Sequence, residues 1–216
     1  MSVEPPLTHS TRIRVLIADD YPAVRAGLVA VLAQEPDLDI VGEAENGDQA
    51  VAIYRELRPD VVLMDLRMPL VDGVNAIRQI TAEFPAARIL ALTTYEGDGD
   101  IKRALEAGAR GYMLKDMLLS DVIAAVRAVQ RGERVIPPAV AARLAEFNDQ
   151  PDLTEREREV LTLAARGLSN KEIARAIGRT DETAKIHLKN IFTKLNVTDR
   201  TEAVTTALTR GLIRLD

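Results

Sequence analysis

Four short apolar runs dominate the first half of this chain: VLIA (15–18), VVLM (61–64), ILAL (89–92) and YML (112–114). A weaker one, LDIVGEA, covers 38–44. Amphipathic stretches of helical length separate them, at about 22–34, 46–57, 72–84 and 98–108, with another at about 119–131. Strands alternating with helices require crossover connections and therefore a parallel sheet. Continuous rather than alternating apolarity implies burial on both faces. The pattern predicts a doubly wound α/β domain with five strands and five helices over residues 11–132.

The pattern lapses after Gly132. Pro137-Pro138 and the turn-like FNDQPD (147–152) bracket an Ala-rich stretch with short-helix character, so 133–151 is predicted to be a linker. From 152 to 216 no strand-like run occurs. Thr154 with Glu157 has the spacing of a capping box, and Gly167 closes that helix. Further helices are predicted at about 170–176, 181–195 and 200–209. The fold class is thus α/β plus all-α: a five-stranded parallel sheet followed by a four-helix module.

Each strand-like run in the first domain delivers a polar residue. Asp19 and Asp20 follow the first, Asp65 the third, Thr93 the fourth and Lys115 the fifth. In an open parallel sheet the carboxyl ends of the strands share one edge, where ligands sit. Three crowded carboxylates repel unless a cation intervenes, and a hard divalent ion with oxygen ligands, Mg²⁺, answers that need. A carboxylate beside Mg²⁺ and Lys115 can attack phosphorus to give an aspartyl phosphate, with Thr93 donating a hydrogen bond to a phosphoryl oxygen. Any one of these residues alone is more often a cap or a solvated charge; five at the ends of four strands make coincidence a poor explanation.

The stretches DD (19–20), MDLRMPLVDG (64–73), LTT (92–94) and GYMLKD (111–116) resemble, in order and spacing over about 120 residues, the receiver domain of two-component response regulators, a flavodoxin-like fold. The resemblance implies that Asp65 is the phosphoacceptor. It implies that Asp19, Asp20, Asp65 and the backbone carbonyl of Arg67 form the metal site, Asp19 through water. It implies that Lys115 pairs with the acyl phosphate and that Thr93 and Tyr112 are the residues that switch. Tyr21 stands where His is usual in this subfamily.

In the C-terminal module, Ala184, Leu188, Ile191 and Leu195 recur at helical spacing and define a buried stripe. Glu182, Lys185, Ile186, Lys189 and Thr193 fall on another face, a basic surface with one apolar residue. Such a face suits DNA phosphates, bases and a thymine methyl, with Thr183 near a phosphate at the helix start. It suits a protein partner about equally well. Charge leans the same way only weakly. Residues 152–216 carry 12 basic and 10 acidic groups, and residues 1–151 carry 16 and 23.

The sequence LTEREREVLTLAARGLSNKEIARAIGRTDETAKIHLKNIFTKLNVTDRTEA resembles the LuxR-type helix-turn-helix. A receiver followed by this module resembles the NarL/FixJ class of transcriptional regulators. That resemblance implies DNA contacts at Thr183, Lys185, Ile186 and Lys189. It also implies a sensor histidine kinase as partner and a homodimer on activation, reading promoter half-sites.

An enzymatic alternative, a Mg²⁺-dependent phosphohydrolase using Asp65, lacks any sign of a substrate pocket or specificity domain, so the chain is not expected to be an enzyme. With no Cys, thiolate chemistry is excluded. No apolar run reaches the roughly 18–20 residues of a membrane span. The N-terminus lacks the apolar stretch of a signal peptide, and a cytoplasmic location is expected.

Overall fold

A computed structural model describes residues 12–94, 98–138, 140–142, 153–213 and 215. The chain forms two compact units. The turn-like segment at 147–152 and most of the Ala-rich stretch before it lie outside the described residues; residues 140–142 are helical.

Strands and helices alternate in the expected order from Ile13 to Gln130. These are β1 (Ile13–Ala18), α1 (Pro22–Leu32), β2 (Leu38–Ala44), α2 (Gly47–Leu57), β3 (Val61–Asp65), α3 (Gly73–Glu83), β4 (Ile89–Thr93), α4 (Asp98–Glu106), β5 (Gly111–Leu114) and α5 (Leu119–Gln130). All pairings are parallel, and the strand order is β2-β1-β3-β4-β5. The chain reverses its direction of travel between β1 and β3, which makes that the switch point where a ligand crevice opens.

The two-residue period of the strands divides the core. Val15, Ile17, Leu63, Leu90 and Leu92 cluster with Leu28 and Leu32 of α1 and Val122, Val126 and Val129 of α5. The alternate residues Leu16, Val62, Met64 and Ile89 are equally buried, beneath the face on which α2 packs against α3 and β2. Burial on both faces explains why these strands read as unbroken apolar runs.

Two helices here, α2 and α3, start from Asx caps. Asn46 accepts from the Gln49 N–H and Asp72 from the Asn75 N–H, each replacing a lost helical bond. Gly73 is forced at the head of α3: a Cβ there would lie 1.9 Å from the Asp65 carbonyl oxygen. The chain after α5 does not leave the sheet at once. Val135 bridges to Gly111 in parallel, so the sheet edge extends beyond Gly132.

The second unit contains α6 (Glu155–Ala165), α7 (Asn170–Ala176), α8 (Asp181–Leu195) and α9 (Arg200–Thr209). Capping boxes open α6, at Thr154 with Glu157, and α7, at Ser169 with Glu172. Gly167 and Gly178, both at positive φ, follow the ends of these helices. Val160, Leu161, Ile173, Ile191 and Ala203 form the centre of a single core. Arg200 donates to the carbonyls of Ala164 and Leu168, satisfying the end of α6. Among the described residues no helix is long and apolar enough to cross a membrane.

Candidate metal centre and nucleic-acid interface

The strand ends converge as the order of the sheet requires. β3 lies between β1 and β4, so Asp65 has the acidic pair of β1 on one side and Thr93 on the other. Lys115 follows β5, its N–H held by the Thr93 carbonyl at 2.8 Å. Asp19, Asp20 and Asp65 each present a carboxylate oxygen within 4.8 Å of the others. Asp19, Asp65 and Thr93 are buried.

The Lys115 ammonium serves two of these acids. Lys115 Nζ lies 2.7 Å from Asp65 Oδ2 and 2.6 Å from Asp19 Oδ2. The contact to Asp19 is an ion pair that leaves Oδ2 without a well-directed hydrogen bond. The remaining oxygens are turned inward by the backbone. Asp65 Oδ1 accepts from the Arg67 N–H at 3.1 Å, and Asp19 Oδ1 from the Tyr21 N–H at 2.9 Å.

Burial pushes the Asp65 carboxyl above the usual carboxylate range. Lys115 and the Arg67 N–H pull it back only in part, and Asp19 adds to the rise. Burial alone would lower Lys115, but the carboxylates of Asp19 and Asp65 hold it above its ordinary value. The site therefore holds more negative charge than it can neutralise. An oxygen-rich, acid-overloaded cluster fits a small divalent cation.

Tyr112 is fully buried on β5. Thr93 ends β4 with its side chain enclosed. Arg67 follows β3, where its carbonyl is near the acids by sequence. Arg25 was not singled out by any motif. Its guanidinium nevertheless reaches the Asp19 carbonyl, Glu43 and Glu45. Its partners lie 6, 18 and 20 positions away, so no local pattern marks it.

In the second unit, Ala184, Leu188, Ile191 and Leu195 of α8 are buried, as the stripe predicts. Glu182, Lys185, Ile186, Lys189 and Thr193 are exposed, and the Ile186 side chain is unusual in being 53% exposed for an aliphatic residue. Lys185 and Lys189 line a shallow groove with Asn170, Phe192, Thr198 and Arg200. Lys185 ion-pairs with Asp181 and Glu182 on its own helix. The Thr183 backbone N–H donates to the Thr180 hydroxyl at 3.3 Å, and the two hydroxyls lie 2.9 Å apart.

The family described as "Response regulator receiver domain" matches residues 15–127, and "Bacterial regulatory proteins, luxR family" matches 151–207. The chain belongs to the response regulators. This regulator is 43% identical over 209 residues to the response regulator protein VraR of Staphylococcus aureus, covering 94% of this chain and 99% of that one. Among solved structures, response regulator ChrA of a heme-sensing two-component system is 38% identical. It covers 94% of the regulator and 100% of its own chain, with a TM-score of 0.57. RcsB of Salmonella enterica serovar Typhimurium, bound to promoter rprA in the presence of phosphomimetic BeF3-, is 28% identical. It covers 90% and 98%, with a TM-score of 0.64. The regulator is thus a receiver joined to a LuxR-type DNA-binding domain, the composition of a transcription regulator controlled by phosphorylation.

Proposed function

We propose that a sensor histidine kinase phosphorylates Asp65 and that the modified receiver switches dimerisation and sequence-specific DNA binding in the cytoplasm. The receiver spans 11–132, the linker 133–151 and the DNA-binding domain 152–216. The observation that carries this reading is the carboxylate cluster of Asp19, Asp20 and Asp65, of which buried Asp19 and Asp65 pair with Lys115.

Asp19, Asp20, Asp65 and the Arg67 carbonyl would hold Mg²⁺, Asp19 through water. The ion supplies charge neutralisation for the transferring phosphoryl oxygens. The chain does the rest. An Asp65 carboxylate oxygen forms a bond to phosphorus as the phosphohistidine P–N bond breaks. The imidazole leaves with the electron pair and takes up a proton. Lys115, relieved of its bond to Asp65, pairs with the new phosphoryl group. Thr93 turns its hydroxyl to a phosphoryl oxygen, and Tyr112 shares in the rearrangement. The phosphate shifts the equilibrium only as far as it discriminates between the two arrangements.

On α8, Lys185, Ile186 and Lys189 face the major groove, and Thr183 lies near the backbone. For Lys185 this requires exchanging its bonds to Asp181 and Glu182 for DNA. A single module with so small a basic excess binds weakly, and a homodimer on two half-sites gains both affinity and specificity.

Two measurements test this. With Mg²⁺ and a small phosphodonor, intact mass should show a phosphoryl adduct on the wild type and none on Asp65→Asn; no adduct on either would sink the first half. In gel shifts on promoter fragments, Lys185→Ala and Lys189→Ala should each weaken binding by about tenfold, the scale of one good contact. Binding equal to wild type would remove α8 from the interface.

A further inference from the structure

Arg25 sits on the first turns of α1 with its side chain only 12% exposed. Its guanidinium has three acceptors. Nη1 donates to the Asp19 carbonyl at 2.7 Å, Nε to Glu43 at 3.1 Å and Nη2 to Glu45 at 3.0 Å. The two carboxylates are about half exposed or more, so the enclosed end of the clamp is the Asp19 carbonyl.

The consequence lies in the peptide that follows. The Asp19 N–H is held by the Ala44 carbonyl at 3.0 Å and its C=O by Arg25. A peptide unit is planar. Fixing that carbonyl oxygen therefore fixes the plane between Asp19 and Asp20, and with it the direction in which Asp20 departs. Both references belong to the same place, the carboxyl end of β2 at residues 43–45. The acidic pair is thereby locked to the sheet from outside the site.

We propose that Arg25 is a positioning residue for the divalent-cation site, setting the geometry of Asp19 and Asp20 without touching the ion. This rests on the reading of the acidic cluster as a Mg²⁺ site. Only Arg supplies a planar fork able to satisfy a carbonyl and two carboxylates together; Lys has one charged point to offer.

The test is Mg²⁺ titration of the full chain by calorimetry. Arg25→Met should weaken Mg²⁺ binding about tenfold, at the lower end of the range for residues that orient metal ligands. Arg25→Lys should fall between it and the wild type. Arg127→Met is the control for mere loosening. It breaks a comparable clamp, to Glu35 and Asp37, next to the opposite end of β2, and should leave Mg²⁺ affinity within twofold. Wild-type affinity in Arg25→Met, or an equal loss in Arg127→Met, overturns the assignment. If Arg25→Met fails to fold, the double variant Glu43→Gln/Glu45→Gln loosens the clamp from its exposed side, and unchanged affinity there overturns it equally. A wild type that binds no Mg²⁺ would instead refute the reading of the cluster itself.

Discussion

Each unit of this regulator sets a partly buried lysine against a buried carboxylate, and the two carboxylates shift in opposite directions. In the second unit Lys194 meets Glu157 at 2.7 Å. Glu157 also accepts from the Thr154 N–H and hydroxyl. Burial raises its pKa, but Lys194 and Thr154 outweigh that and hold it below the usual range. In the first unit Lys115 is shared between Asp19 and Asp65, with Asp20 close by, and Asp65 is held above the usual range. A hydrogen-bonded pair whose carboxylate stays ionised is costly to break from one side. An overloaded one stores unfavourable charge, which is what a site waiting for a cation and a phosphoryl group requires.

The contrast can be broken most easily at Glu157. Glu157→Ala removes a capping box and the ion pair to Lys194, and should cost about 3 kcal/mol in the second unit, judged by denaturant unfolding. Glu157→Gln keeps the box's hydrogen bonds and should cost about half as much, roughly 1.5 kcal/mol. Because the folded pKa is lowered, this stabilisation is present above pH 4.5 and fades as pH falls through the folded value. A loss below 0.5 kcal/mol for Glu157→Ala would remove this pair from the account.

Asp65→Asn should do the reverse and stabilise the first unit by about 1 kcal/mol near pH 7 in metal-free buffer. Here the folded pKa is raised. The cost of the ionised carboxylate is absent below pH 3.8 and grows as pH rises through the folded value, so the gain should vanish in acid. Saturating Mg²⁺ should erase it at neutral pH by stabilising only the wild type. Destabilisation in metal-free buffer at neutral pH would show the two pairs to be alike. The smallest effect belongs to Lys185, whose ion pairs are exposed. Lys185→Ala should leave the thermal unfolding midpoint close to that of the wild type while weakening DNA binding. Thermal unfolding and gel shifts on one preparation separate the two effects.

The same contrast explains what was legible in the sequence. Asp19, Asp65, Thr93 and Lys115 could be found because a parallel sheet places the last residue of each strand on one edge. The period of 3.6 marked Ala184, Leu188, Ile191 and Leu195 as the buried side of α8 before any coordinates, and Thr154 with Glu157 showed a cap through its spacing. Lys194 as the partner of Glu157 was invisible, since the pair is 37 residues apart on helices whose packing no local pattern encodes. Arg25 was hidden for the same reason. The Thr183 N–H is taken up by the hydroxyl of Thr180, one residue before the helix, a cap that the period of 3.6 does not encode. The bridge at Val135 lay where two prolines ahead suggested only a break.

The account turns on whether charge at Asp65 reaches α8. The direct measurement is DNA affinity of the full chain on a promoter fragment, with and without phosphodonor and Mg²⁺, for the wild type and Asp65→Asn. Phosphodonor should tighten binding of the wild type by tenfold or more, within the usual range of allosteric coupling, and leave Asp65→Asn unchanged. An equal response in both proteins, or in neither despite a phosphoryl adduct on the wild type, would contradict it.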